Sequence, residues 1–134
     1  MKKIMIGNAA LILGLVLSLS GCGYKTETEA IQAWKAEGKT QKIIKLLHAP
    51  QQATRVEAIE ALAELRAKEA LEPLSTLFND PDKIVVHEAI DAIVEIGGPD
   101  IEPYMLQAIQ LDTVPARIAG ATALGKFKSS AAVD

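Results

Sequence analysis

The sequence predicts an all-α chain: a short α-α superhelical solenoid of stacked helical hairpins, preceded by an N-terminal signal or anchor helix. Three observations carry this. Residues 55–65 (Arg-Val-Glu-Ala-Ile-Glu-Ala-Leu-Ala-Glu-Leu) return 31 positions later as residues 86–96, and 31 later again as residues 117–127. A fixed period of this length is the signature of stacked repeats. Within the copies small residues align (Ala58, Ala89, Gly120; Ala61, Ala92, Ala123), as do larger apolar ones (Leu62, Ile93, Leu124; Leu65, Ile96, Phe127). Their i, i+3, i+4, i+7 spacing places them on one helix face.

In a chain of 134 residues there is room for one small domain, and residues 1–21 read as a signal peptide outside it. Lys2 and Lys3 precede an apolar run over residues 4–19, broken only by Asn8 and Ser18, and Leu19-Ser20-Gly21 leads to Cys22, the only cysteine. Charge, apolar core and small residues in that order describe a secretory signal. The run is short for a membrane span, which needs about 20 apolar residues. An ordinary secretory signal, or an uncleaved anchor helix, are the alternatives. A lone cysteine elsewhere in an exported chain would be an odd free thiol, and one cysteine permits no disulfide within the chain. Leu-Ser-Gly-Cys resembles the lipobox of bacterial lipoproteins. The resemblance implies cleavage between Gly21 and Cys22, with lipid (palmitate among the chains) on the Cys22 sulfur and the new amino terminus. Several acyl chains anchor a protein stably where one is marginal. That covalent lipid is the only cofactor expected. The implied location is the cell envelope, on the outer side of the cytoplasmic membrane or in the outer membrane. Gly23 in place of an aspartate favours the outer membrane if the cell has two.

Residues 22–28 form the lipidated cysteine and a tether whose polar part reaches at most roughly 20 Å. Thr26-Glu27-Thr28-Glu29 reads as a capping box, opening the repeat domain over residues 29–134. Its first hairpin, residues 26–50, has a helix running to about Glu37 with Gly38 as a left-handed stop. Thr40 is expected to cap a second helix carrying Ile43, Ile44, Leu46 and Leu47, which Ala49-Pro50 ends. Trp34 is placed to cover the end of the stack. The first clear unit, residues 51–80, joins a helix over 52–66 to one over 69–78, with Leu71, Leu74, Leu77 and Phe78 inward and Pro73 in the first turn. In Asn79-Asp80-Pro81-Asp82, Asp80 is expected to cap the next helix and Pro81 to begin it.

The second unit, residues 81–112, has the most apolar helix, over 82–96, which predicts burial around most of its circumference. Its β-branched residues weaken helix propensity, so packing must hold it. Gly97-Gly98-Pro99 ends it, and a helix with an early Pro103 follows over 100–111. The partial repeat, residues 113–134, supplies a helix over 115–127 and a remainder too short for a second one. Terminal repeats normally carry polar outer faces, so an apolar surface left open here would be unusual.

Arg55, Ala58, Ala61, Leu62, then an apolar helix with an early proline, then Asp80-Pro81-Asp82, resemble the short HEAT repeats of phycobilisome-lyase-type HEAT proteins. Arg117, Ala123, Leu124 and Gly125 match as well. Val86 departs, standing where arginine is usual. The resemblance implies a helical binding scaffold and is weak for a particular function.

After the signal peptide the chain has 12 basic and 17 acidic side chains, a formal charge of −5. Residues 23–56 sum to +3 and residues 57–112 to −10, which disfavours nucleic acid and anionic membrane surfaces as ligands. The carboxylates Glu57, Glu60, Glu64, Glu88, Asp91 and Glu95 read most simply as a solvated face, with a basic partner as the minority reading. No catalytic constellation is visible and no catalysis is expected. His48 and His87 lie in different units, short of the three or four ligands a metal needs. His87-Glu88 matches the pair that a di-iron HEAT hydroxylase family uses several times; one pair cannot build that centre. The expected role is a membrane-anchored protein-interaction scaffold with an unknown protein partner. Its contact surface is placed on the second-helix ridge (Glu72, Ser75, Thr76, Asn79, Gln107, Gln110) or the C-terminal end (Ile118, Leu124, Phe127), where self-association is also conceivable. The alternatives are a bilin-lyase-like subunit and the anchored part of a longer repeat protein.

Overall fold

The computed structural model describes residues 27–131, and every regular element in them is helical. The signal segment, the junction of Gly21 and Cys22, the tether as far as Lys25 and the Thr26 cap lie outside these residues, while Glu27 and Thr28, expected in the tether, already belong to the first helix. Seven α-helices follow: α1 (Glu27–Ala36), α2 (Thr40–Ile44, prolonged by a 3-10 turn Lys45–His48), α3 (Gln52–Glu64), α4 (Leu71–Thr76, between 3-10 turns Lys68–Ala70 and Leu77–Asn79), α5 (Lys83–Ile96), α6 (Glu102–Ala108, after a 3-10 turn Pro99–Ile101) and α7 (Val114–Ala131). The first helices of successive hairpins stack side by side, α1 on α3, α3 on α5 and α5 on α7, while α4 packs on α5 and α6 on α7. This is a short solenoid.

The core follows the repeat. Ala58 and Ala89 are fully enclosed, Ala61, Ala92 and Ala123 nearly so, and Leu62, Ile93, Leu74 and Met105 are at 0 % exposure. Small side chains at these positions let helix axes approach, and the large apolar residues one turn away fill the gap. Gly120 is the tightest case. A Cβ there would lie 3.0 Å from the Ala108 Cβ, the Ile109 Cγ2 and the Met105 carbonyl oxygen, so any larger residue would push α7 away from α6 at this point. The inward set expected on the helix after residue 69 (Leu71, Leu74, Leu77, Phe78) is buried throughout. α5 buries Val85, Val86, Ala89, Ile90, Ala92, Ile93 and Ile96 but leaves one side open, where Lys83, His87, Asp91 and Glu95 are exposed. Ile84 is bare at 56 %, so the helix is less enclosed than its apolar composition predicts.

Helix ends explain where local reading succeeds and where it does not. Gly38 takes φ 65°, and its amide and that of Lys39 bond the Lys35 and Trp34 carbonyls at 3.1 and 2.8 Å. This pair of bonds makes a Schellman stop. Arg66 makes the equivalent stop after α3 at φ 48°, with its own amide on the Ala63 carbonyl and that of Ala67 on Leu62. Three expectations are corrected. Asp80 does not cap α5. Asp82 does, accepting from the Ile84 amide at 2.9 Å, while Asp80 accepts from the Asp82 amide at 2.9 Å in an Asx turn. Thr40 does not cap α2 but is its first residue, and its hydroxyl donates to Glu69 Oε1 at 2.6 Å. The last helix runs past Phe127 to Ala131. The second helices are also shorter than expected, flanked by 3-10 turns.

Polar contacts stitch each unit to the next across about one repeat. Lys35 Nζ reaches Glu64 at 2.6 Å, the Thr54 hydroxyl donates to Glu27, and Lys68 Nζ lies 3.6 Å from Asp100. Trp34 is half-buried against the core and carries the Lys42 ammonium 5.4 Å from its ring centroid, so the first hairpin closes that side of the stack with an aromatic under a cation.

Candidate interaction surface

Arg55 organises the edge of the stack. Its Nη1 donates to the carbonyls of Ala49 and Pro50 at 2.9 and 3.2 Å, and its Nη2 to Asp80 Oδ1 at 3.1 Å. Nε lies 3.0 Å from Asp80 Oδ2, in ion-pair contact but outside hydrogen-bonding alignment. Only 11 % of the arginine side chain and 7 % of the aspartate are exposed, so this pair is a largely desolvated brace between the start of one unit and the turn into the next. Two periods on, Arg117 Nη1 donates to the Leu111 and Asp112 carbonyls at 3.0 and 2.9 Å, repeating the grip on the preceding turn. In the second unit Val86 and Leu111 hold the positions equivalent to Arg55 and Asp80, and the charged pair gives way to two apolar residues. The 62-residue spacing of the two arginines was a signal for this role in the sequence; the identity of the aspartate was not.

Glu60, Glu64, Asp91 and Glu95 are exposed, as expected of a solvated face, and Glu88 is half-buried. They line a groove of about 180 Å³ between α3 and α5, whose floor is Ile59, Ala63 and Ala92. Glu57, grouped with them by sequence, is half-buried, with Oε2 enclosed and unpartnered. A second, wider groove of about 790 Å³ lies between the starts of α5 and α7, lined by Ile84, Val86, Val114 and Pro115 with Lys83, His87 and Glu88.

The surface residues expected from sequence sort unevenly. Glu72, Thr76, Asn79, Gln107 and Gln110 are exposed on the second-helix side. Ser75 is not: at 8 % exposure it is buried, donating to the Glu72 carbonyl at 2.7 Å. The Thr76 hydroxyl donates to the Pro73 carbonyl and lies 3.3 Å from His48 Nε2. On α7, Ile118 is 60 % exposed. Leu124 is half-buried against the core and faces inward rather than to the open side; the Phe127 side chain lies outside the described residues. The open face is instead completed by Val114 at 55 % exposure, Ala121, Thr122 and Gly125. Repeat alignment contained that signal, because Ile59 and Ile90, the counterparts of Ala121, are the residues the next helix covers.

His87 is half exposed and its Nδ1 sits 3.1 Å from Asp91 one turn on. Among the described residues no three His, Cys, Asp or Glu side chains gather as a metal site. Two carboxyls are held below their ordinary range: Glu69, chiefly by the Thr40 hydroxyl and then by a backbone amide, and Glu37, by the hydrogen bond and charge of Lys39. Among the described residues no helix is long and apolar enough to cross a membrane.

No curated protein matches the chain. A family pattern does, the one described as HEAT repeats, over residues 40–125. Those residues span α2 through most of α7, the same stack in which the arginine grip recurs and the small positions close the core, and repeats of this kind commonly mediate contacts between proteins. The chain belongs to the HEAT-repeat family.

Proposed function

We propose that this protein is a membrane-anchored interaction scaffold, held by lipid on Cys22 and binding another protein through its repeat stack, without catalysis of its own. The observation that carries the binding part is the open face of α7. Ile118 and Val114 stand 60 % and 55 % exposed, beside an exposed Ala121 whose counterparts Ile59 and Ile90 are buried on α3 and α5. Large apolar side chains grouped on a surface that a repeat normally stacks mark a contact. The exposed second-helix residues Glu72, Thr76, Asn79, Gln107 and Gln110 offer a polar rim on the other side.

The anchoring part rests on the order of Lys2-Lys3, the apolar run and Leu19-Ser20-Gly21-Cys22. Cys22→Ser should leave an unprocessed, unlipidated precursor, read by intact-mass spectrometry; normal maturation of that variant would remove the lipid from the proposal. A photo-crosslinking residue at Ile118, in the lipidated protein in its own membrane, should give a discrete adduct that a crosslinker at exposed Glu72 and a crosslinker at exposed Gln32 do not both reproduce. Adducts equal at all three sites would mean that α7 is no special contact.

A further inference from the structure

We propose that the open face of α7 docks into the acidic groove between α3 and α5 of a second copy of this chain. This rests on reading the stack as a binding scaffold, but not on the lipid anchor. The two surfaces match in shape class and in charge. Along α7, Val114, Ile118, Ala121 and Gly125 fall at i, i+4, i+7 and i+11, a stripe of apolar and small residues, and all are exposed. Helical geometry puts Lys126 on one side of that stripe and Arg117 and Lys128 on the other. Residues 114–131 carry these three cations and no acid, against −10 for residues 57–112. The groove has the inverse pattern, an apolar floor of Ile59, Ala63 and Ala92 between carboxylates on both helices.

Its volume is about 180 Å³. The groove has room for an aliphatic side chain such as that of Ile118, while Gly125, with no heavy atom within 4 Å of where a Cβ would stand, leaves the helix backbone free to approach. One wall already takes an ammonium group: Lys35 reaches Glu64 at 2.6 Å. Two-fold packing of α7 on α7 is disfavoured by the same residues, because an antiparallel pairing brings Lys128 toward the Arg117 of the other helix on the same side of the stripe. A head-to-groove contact is heterologous, so it adds copies in rings or rows rather than closed pairs.

The test uses the full-length protein in detergent micelles, mixing nitrogen-isotope-labelled and unlabelled copies, with a zero-length carbodiimide that joins amines to carboxylates in contact. Mixed-isotope links from Lys126 or Lys128 to Glu88, Asp91 or Glu95 are expected at low salt. They should fade near 1 M salt, where screening acts within about 3 Å. Lys126→Glu with Lys128→Glu, and Asp91→Lys with Glu95→Lys, should each lower the linked yield about tenfold. Mixing the two variants should restore it, since each then presents the other with opposite charge; an unfolded variant could not do so. Links from Lys126 or Lys128 only to carboxylates outside the groove, a yield indifferent to salt, a mixture of the two variants that restores no links, or monomers alone would overturn the proposal. Capture of a different protein at Ile118 with no self-links would sink this contact and leave the scaffold reading standing. Self-links without any foreign adduct would do the reverse.

Discussion

Copying the second unit into the first at the Arg55–Asp80 brace isolates what a desolvated ion pair contributes to a repeat stack. Arg55→Val leaves Asp80, 7 % exposed, facing no cation, and frees the carbonyls of Ala49 and Pro50. Asp80→Leu leaves the guanidinium, 11 % exposed, with carbonyls alone and removes the acceptor of the Asp82 amide. Stranding one member of a buried pair costs about 3–5 kcal/mol, while replacing both by apolar residues is often close to neutral. The incomplete burial here argues for the low end, about 3 kcal/mol for each single change. The double variant reproduces the Val86 and Leu111 arrangement and should lose only about 2–3 kcal/mol, because the capped carbonyls and the Asx turn are still lost. Summed singles therefore exceed the double by roughly 3 kcal/mol. Urea unfolding of the four proteins, followed by circular dichroism under identical conditions, measures this. Against a total stability of about 5–15 kcal/mol, each single change should move the midpoint plainly. Additivity within about 0.5 kcal/mol would refute the idea that the two residues act as one brace.

Gly120→Ala should destabilise by about 1–3 kcal/mol, since two of the three atoms at 3.0 Å are a packed Cβ and a backbone carbonyl that cannot swing aside; Gly125→Ala, with open space around it, serves as the control, and equal unfolding midpoints for the two would contradict the packing account. Thr40→Val removes the donor that holds the Glu69 carboxyl low, so its titration, followed by carbon-detected NMR, should move up toward the ordinary glutamate value. Because a depressed carboxyl stabilises the fold above its unfolded pKa and loses that contribution as pH falls through the folded one, the wild type should lose more stability than Thr40→Val between about pH 5 and pH 3. Parallel acid-unfolding curves would speak against the contact.

How much of this was legible follows from which interactions are local. The 31-residue period, the inward apolar set of Leu71, Leu74, Leu77 and Phe78, and the stop at Gly38 all depend on the chain's own backbone and on one helix face. Asp80, Thr40 and Ser75 were misplaced for one reason. Each is a small polar residue whose hydroxyl or carboxylate satisfies the backbone in several ways, and the choice is made by a partner elsewhere: Arg55 for Asp80, Glu69 for Thr40, and neighbouring helices that bury Ser75. Leu124 was expected on the open side because it aligns with Leu62 and Ile93, but those are core positions, and Leu124 remains one.

The sequence by itself determined an all-helical stack, the register of its units, and a central excess of negative charge that disfavours polyanions as ligands. These come from periodicity, backbone chemistry and composition, which need no neighbour. The tertiary structure decided which polar residues bridge units, that five carboxylates converge on one groove, and that Ile118 and Val114 rather than Leu124 face outward. Covering a helix face depends on how the adjacent helix crosses it, and a helix's own pattern marks an apolar side without saying which part its neighbour will leave bare.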